Sequence, residues 1–427
     1  MSDEPASSQG AWEKHLRTAI MQSAPLLDAK TLPVDARSRA IEKALAAGLP
    51  GLRSDTWRYS DLRYLASVPL APLPLAPADI PEATELPERL EGFTRLVFAN
   101  GRYIEDLSDR CPELLRRSAA LLPERTLHER FGWLNDAFAT DVARLVVGSE
   151  RRIELLFVTT DSIDAQSFYP RLEVTLEAGA ALTLVERHLG TASPSSVVNA
   201  AVQVFAARGS HCRHLRWQQL ASNARLLDTL QIALDQDSTY ELAQLALGAQ
   251  SARSSVRAAL FGAGARLAIS GVSLGADRRR CDTSLRVDHI APHTVSDQIF
   301  RALANERARI ACASRVEVLA GARGASSTQS LRGLLGAGSA EIDLRPQLEI
   351  HTDEVKATHG ATTGALDANT LFYLLSRGLE PATARQLLEW AFLEDAISRI
   401  GDATLRRLTE RAVLGQLGNT AASEALQ

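Results

Sequence analysis

The sequence lacks the local motifs of several common enzyme classes. Its 427 residues contain no GxxxxGK(S/T) loop, no GxGxxG fingerprint that opens a helix and no HExxH zinc motif. Without such a phosphate-binding loop, we expect no ATP hydrolysis by the chain alone. The stretch FGAGARLAI (261–269) is rich in small residues, but it stands between two strand-like segments with no helix to receive an anion. We interpret it as a turn.

Closely spaced cysteines are also missing. Cys111, Cys212, Cys281 and Cys312 are far apart and form no CxxC pair. This spacing disfavours a zinc ribbon or a four-cysteine iron–sulfur site, both of which need neighbouring thiolates. We expect four reduced cysteines, as is usual in the cytoplasm.

Strong charge and long apolar runs are absent too. The net charge of −4 argues against a dedicated nucleic-acid binder, and the apolar runs stop well short of the roughly 18 residues that a membrane span needs. The N-terminus MSDEPASSQG has no basic segment followed by an apolar one, so it predicts no secretory signal. We expect a cytoplasmic protein with no membrane and no nucleic acid among its partners.

The first 88 residues predict a helical region followed by an extended connector. Apolar residues recur at helical spacing through AWEKHLRTAIMQSAPLL and VDARSRAIEKALAAGLP, and Gly48 and Pro50 mark a stop. From about 68 to 88 the chain is rich in Pro and Ala, which excludes a regular helix or a central strand. We assign residues 1–88 to an N-terminal region.

Residues 89–365 predict the β core. Short alternating segments such as RLEVTLEAGAALTLVERHL are broken by small turn residues, and the turns recur at Gly179, Gly209, Ser238 and Gly264, in steps of 30, 29 and 26 residues. A strand–turn–strand unit of this period is typical of stacked turns in a β-solenoid. Antiparallel sandwich strands are the alternative.

Residues 366–427 predict a C-terminal helical region. LDANTLFYLLSRGLEPATARQLLEWAFLEDAISRI reads as two helices, with Asp367 as the N-cap of the first, Gly378 as its stop and Pro381 in the first turn of the second. Such a helical hairpin can pack on its own core or on a partner.

Four histidines outside the last strand segment favour structural roles. His289 and His293 are four residues apart, but Pro292 between them makes a continuous helix with a metal pair improbable. We expect both imidazoles to cap turns or to bond neighbouring strands. His211 and His214 fall on opposite faces of a strand, and we expect His214 to be buried and hydrogen-bonded.

His359 stands among small residues in EVKATHGATTG, where the strand pattern gives way to helices. Its ring is uncrowded by Ala357, Gly360 and Ala361. A neutral imidazole is a good ligand for iron, zinc or copper, and histidine can replace cysteine at iron–sulfur centres. The residues alone leave two alternatives open, a structural turn and a metal ligand.

Several separated blocks of the sequence resemble the SufB/SufD family of iron–sulfur cluster assembly proteins, most closely its SufD branch. They are RPQLEIHTDEVKATHGATTGALDANTLFYLLSRGL (345–379), VDHIAPHTVSDQIFRAL, SSTQSLRGLLGAGSAEIDLRPQLEI, LPGLRSDTWRYSDLR and RLVFANGRY. The resemblance implies a mainly β protein, with a right-handed parallel β-helix core flanked by α-helical N- and C-terminal regions. One departure is Ala357, where the family commonly has a cysteine two residues before the histidine.

The resemblance also implies a function and partners. It implies a scaffold subunit that is not itself an enzyme, pairs with a SufB-like subunit (a homodimer is the alternative) and works with a SufC-like ABC-type ATPase. His359 would help to assemble a transient iron–sulfur cluster at the SufB interface, with no cofactor held tightly by the isolated chain. The helical residues expected to bind the ATPase are Phe372, Tyr373, Arg377, Gly378, Leu388 and Phe392.

Two other functions are compatible with parts of the sequence. A SufB-like subunit would supply a cysteine ligand from its late turns, and Cys281 and Cys312 keep that reading open. A β-helix carbohydrate-active enzyme needs aromatic platforms and flanking carboxylates, but aromatic residues make up only 5% of the chain. We therefore favour the assembly scaffold.

Overall fold

The computed structural model describes residues 4–27, 32–50, 57–60, 62–115, 130–160, 166–190, 196–336 and 339–418. Within them the α-helices are α1 (Glu4–Ser23), α2 (Val34–Ala47), α3 (Arg130–Phe138), α4 (Ala368–Ser376), α5 (Pro381–Ile397) and α6 (Ala403–Gln416). Short 3-10 helices span Ala24–Leu26, Arg63–Ala66, Pro77–Asp79, Ala83–Glu85 and Glu105–Leu107. No helix in these ranges is long and apolar enough to cross a membrane.

The strands of the described chain form two large sheets, which we call sheet A and sheet B. In chain order the strands are β1 (Thr94–Ala99), β2 (Arg102–Tyr103), β3 (Leu114–Leu115), β4 (Ala143–Val147), β5 (Arg151–Thr159), β6 (Ser167–Phe168), β7 (Arg171–Leu176), β8 (Ala181–Gly190), β9 (Val197–Ala206), β10 (His211–Gln218), β11 (Arg225–Leu234), β12 (Thr239–Ala246), β13 (Ser251–Leu260), β14 (Arg266–Gly275), β15 (Arg280–His289), β16 (Val295–Ala304), β17 (Arg309–Val318), β18 (Ala325–Leu335), β19 (Glu341–Ile350) and β20 (Val355–Ala365). Sheet A has the order β2-β1-β5-β8-β10-β12-β14-β16-β18-β20, and sheet B the order β19-β17-β15-β13-β11-β9-β7-β4-β3, with β6 beside β9.

The two sheets are the walls of a parallel β-solenoid of about seven turns. From β7 onward successive strands alternate between the sheets, so each strand pairs with the strand two places away in sequence. His211, for example, pairs in parallel with Ala181 on one side and Thr239 on the other. The solenoid predicted from the repeat is thus confirmed, and the antiparallel sandwich is wrong.

A column of turn residues with positive φ follows one edge of the solenoid. Its members are Gly179, Gly209, Asp237, Gly264, His293 and Gly324. The backbone N–H of each donates to a carbonyl in the next turn, as from Gly179 to Arg208 O at 3.0 Å and from Gly324 to Glu354 O at 2.7 Å. The sequence prediction placed Ser238 in this column. That position was wrong by one residue, because aspartate tolerates the left-handed conformation that the turn requires.

The interior of the solenoid is filled by residues that alternate along each strand, such as Leu182 and Leu184 of β8 and Leu230 and Ile232 of β11. Stacking these faces buries a surface that no single turn could cover alone. The first five residues of FGAGARLAI (261–265) lie between β13 and β14, as the turn interpretation predicts, and the last four begin β14.

Helices cover part of each outer face. The N-terminal helices and α3 form a second apolar cluster, with Trp12, Phe131 and Phe138, against Val197 and Leu227 of sheet B. The C-terminal helices pack on sheet A, where an apolar cluster joins residues of both: Leu393, Ile397 and Leu405 from the helices, and Leu215, Val272 and Leu303 from the sheet. The predicted caps are confirmed: Asp367 accepts a hydrogen bond from Thr370 N, Gly378 has a φ of 88° after α4, and Pro381 opens α5.

Candidate functional site

His359 lies in the middle of β20, the last strand of sheet A. All eleven residues of β20 pair in parallel with β18, and His359 stands opposite Gln329. Gly360 and Gly364 lie within the strand and are not among the residues with positive φ. Of the two alternatives that the sequence leaves open, the structural turn is therefore wrong. Three threonines in the strand favour the extended conformation in spite of the small neighbours.

The side chain of His359 is exposed and has no hydrogen-bond or ion-pair partner within the part of the chain that the structure describes. It occupies the same face as Gln329 and Leu331, which are buried one strand earlier. Gln329 Nε2 donates to Gln347 O of β19 at 3.5 Å, so a polar side chain inside the solenoid bonds to the backbone of the last turn. An imidazole at this position is free to bind a group from outside the chain.

No thiol accompanies His359 on β20. The position two residues earlier, on the same face, is Ala357. Cys212, Cys281 and Cys312 are buried, and burial raises the pKa of Cys281 to about 11. Burial and the nearby Glu113 carboxylate raise the pKa of Cys111 to about 11 as well. These four sulfurs are protonated near neutral pH, so none is a ready metal ligand or nucleophile.

A group of charged side chains lies on sheet B beside the last turn. One ligand atom each from Glu317, Glu349 and His351 lies within 4.8 Å of the other two. His351 Nε2 is 3.3 Å from Glu349 Oε1, but Arg315 also pairs with both carboxylates, and Arg286 with that of Glu317. Since the arginines balance the acids, the arrangement is an ion-pair network.

A second network is enclosed in the middle turns. Glu186 is fully buried and contacts His188, His214 and Arg216, and Asp228 pairs with the same arginine at 2.7 Å. Burial alone would raise the pKa of Glu186, but the Arg216 guanidinium and hydrogen bonds from the two histidines hold it well below its usual value.

The predictions for His211, His214 and His289 are confirmed. His214 is buried, and its Nδ1 lies 2.6 Å from the hydroxyl of Tyr240, whereas His211 is partly exposed on the other face. Burial lowers the pKa of His214. Both ring nitrogens of His289 are occupied, with Nδ1 2.8 Å from Thr294 Oγ1 and Nε2 2.9 Å from Ser296 Oγ. His293 is the left-handed residue of its turn.

The helical residues predicted to bind a partner divide into two sets. Phe372 and Tyr373 are 72% and 55% exposed on α4, and the Arg377 guanidinium lies over the Tyr373 ring at 5.1 Å. By contrast, Phe392 of α5 is partly buried and packs against the cluster between the helices and sheet A. Leu388 is also partly buried, and Gly378 lies exposed just after α4.

Sequence reasoning missed two features. Helix α6 was not singled out, although its N-cap Asp402 accepts hydrogen bonds from the backbone of Thr404 and Leu405. Residues 271–275, GVSLG, match the letters of the GxSxG nucleophile motif. They lie inside β14, with Ser273 buried, and so lack the strand-to-helix turn that exposes a nucleophile.

Comparison with known proteins gives consistent matches over this architecture. The family model described as "SUF system FeS cluster assembly, SufBD core domain" matches residues 157–392, which run from β5 into α5 and make up more than half of the chain. An iron–sulfur cluster assembly SufBD family protein of Synechocystis is 27% identical over 404 residues, covering 87% of this chain and 88% of that protein. The iron–sulfur cluster assembly protein SufD of Escherichia coli is 24% identical over 389 residues, covering 88% and 90%. SufB of Bacillus subtilis is 23% identical over 271 residues, covering 62% and 58%.

Proposed function

The chain belongs to the SufB/SufD family of iron–sulfur cluster assembly proteins, and on that premise we propose that it is a SufD-like, non-catalytic scaffold subunit. In this proposal it pairs with a SufB-like subunit through the open end of the solenoid, where β19 and β20 are the terminal strands of their sheets. Terminal strands present unpaired backbone groups, which are a ready template for another chain.

The observation that carries the proposal is the imidazole of His359 on the terminal strand β20, which is exposed and has no partner among the residues that the structure describes. It would supply one ligand to a cluster being built as cargo, and the partner would supply the thiolates, since Ala357 offers none. A SufB-like role for this chain is disfavoured, because Cys281 and Cys312 are enclosed in the core with raised thiol pKa values. The prediction of a cytoplasmic location belongs to the same proposal.

The C-terminal helices are the proposed docking site for the ATPase. Helix α4 has no buried residue and exposes Phe372 and Tyr373. Aromatic side chains of this kind are enriched at protein interfaces. Because Phe392 packs on its own molecule, we assign Phe372, Tyr373 and Arg377 to the contact. We expect Phe372→Asp to reduce copurification of the ATPase, and full retention would argue against this face.

The test of the function is His359→Ala in the complex with both partners. We expect the complex to assemble normally and cluster formation, followed by visible absorbance, to fall by about 10-fold or more, as for loss of a group that holds a metal. Thr358→Ala, an exposed neighbour on the opposite face of the same strand, is the matched control. Undiminished cluster formation by His359→Ala would refute the proposal.

A further inference from the structure

Arg301 of β16 is a buried arginine that joins three elements. Its side chain is 2% exposed. Nε donates to Asp395 Oδ2 of α5 at 3.0 Å, and Nη1 donates to Phe300 O and Ser330 O, both at 2.9 Å. Nη2 donates to Ser330 Oγ at 3.2 Å and also to Asp395 Oδ2. All five N–H groups of the guanidinium therefore have acceptors, which fixes the group in one orientation.

These contacts connect the outer helix to the strand that carries His359. Ser330 lies in β18, next to Gln329, and these two residues pair with Gly360 and His359 of β20. The path from Asp395 to the candidate site thus crosses one guanidinium and one pair of neighbouring strands.

Arg332 of β18 also approaches the Asp395 carboxylate, at 3.7 Å, but most of the remaining contact between α5 and sheet A is apolar. Leu393 and Ile397 of α5 pack with Leu303 and Val272 of the sheet in one apolar cluster. Apolar packing is non-directional and fixes the sliding position of a helix only loosely. A charge-assisted hydrogen bond to a rigid planar group is directional. A displacement of Asp395 therefore displaces the Arg301 guanidinium, and through it Ser330.

We propose that Arg301 is a positioning residue that transmits displacement of α5 to β18 and β20. Nucleotide-dependent movement of an ATPase bound at the C-terminal helices would then change the setting of His359. This inference rests on the proposed function and names the residues through which the helices act on the candidate site.

The experiment measures amide hydrogen exchange of β20 in the assembled complex, with and without nucleotide. For Asp395→Asn we expect the nucleotide-dependent change in β20 exchange to fall by about 5-fold or more, the scale on which coupled sites respond. Asp395→Glu, which keeps the charge, should restore part of it. Arg332→Gln is the matched control, since Arg332 is exposed and 3.7 Å from the same carboxylate.

Asp395 is 43% exposed, so its replacement should leave the chain folded even where variants of Arg301 are not. If the contact between Arg301 and Asp395 only stabilised the fold, Asp395→Asn would lower stability but leave the nucleotide-dependent difference in β20 exchange intact. That result, or a wild-type complex without any nucleotide-dependent change in β20, would overturn the inference. The His359→Ala assay of cluster formation tests the proposed function separately.

Discussion

His214 and His359 occupy the same ladder of sheet A, yet their surroundings are opposite. The ladder passes through His214, Leu242, Ile269, Gln298, Gln329 and His359. In the middle turns His214 is enclosed and bonded to Tyr240 and Glu186. On the last strand the same core-facing position is exposed and unpartnered within the described chain. Residue type and strand face are equal, so it is the place along the solenoid that separates a structural imidazole from one available for binding.

The largest difference should be seen when the Glu186 network and His359 are each disrupted. Glu186→Gln removes the charge that faces Arg216 and the two histidines, and breaking a buried pair typically costs about 3–5 kcal/mol of unfolding free energy. His359→Ala removes no hydrogen bond or ion pair within the described chain and should cost less than about 0.5 kcal/mol. Denaturant unfolding of both variants measures the two values. Similar losses would abolish the distinction between the middle and the end.

The pH dependence of stability should report on the enclosed histidines. Burial lowers the pKa of His289 to about 4, although Asp288 opposes the shift. Between pH about 6.5 and 4 this histidine is protonated in the unfolded chain but neutral in the folded chain. The free energy of unfolding therefore falls as the pH falls, by up to about 3 kcal/mol from this group. His289→Asn should remove this part of the slope. An unchanged slope in the variant would show that His289 is not a neutral core residue.

A smaller effect should distinguish an inner strand of sheet A from its terminal strand at glycine. Gly190 of β8 has a φ of 107°, and a Cβ there would overlap Thr159 O. Gly360 of β20 has open space at the same atom. We expect Gly190→Ala to lower the unfolding free energy by about 1–3 kcal/mol and Gly360→Ala to change it by less than about 0.5 kcal/mol. A large loss of unfolding free energy for Gly360→Ala in the isolated chain would mean that β20 is not an exposed terminal strand.

The sequence was informative where a local rule governs the structure. The recurrence of Gly179, Gly209 and Gly264 predicted the solenoid because each turn repeats the same backbone requirement. Asp367 and Pro381 predicted helix starts because capping depends on a few neighbouring atoms. These signals need no knowledge of distant residues.

Features that depend on distant residues were missed or misplaced. Small residues around His359 suggested a turn, and only the pairing with β18 makes the segment a strand. Arg301 and Asp395 are 94 positions apart, so no local sequence pattern predicts their contact. Phe372 and Phe392 look alike in the sequence, and only packing separates an exposed ring from one that lies on the core.

The column of left-handed turn residues limits how the molecule can change in length. Each member donates its N–H to the following turn, and its spacing stays between 27 and 31 residues from Gly179 to Gly324. Spacings that differ by up to four residues all keep this bond, so the loops between strands absorb small changes in length. An odd number of residues added within a strand would instead turn its apolar side outward. The solenoid can be shortened or extended only by whole turns. Its length along the direction of stacking is therefore available only in steps of one turn.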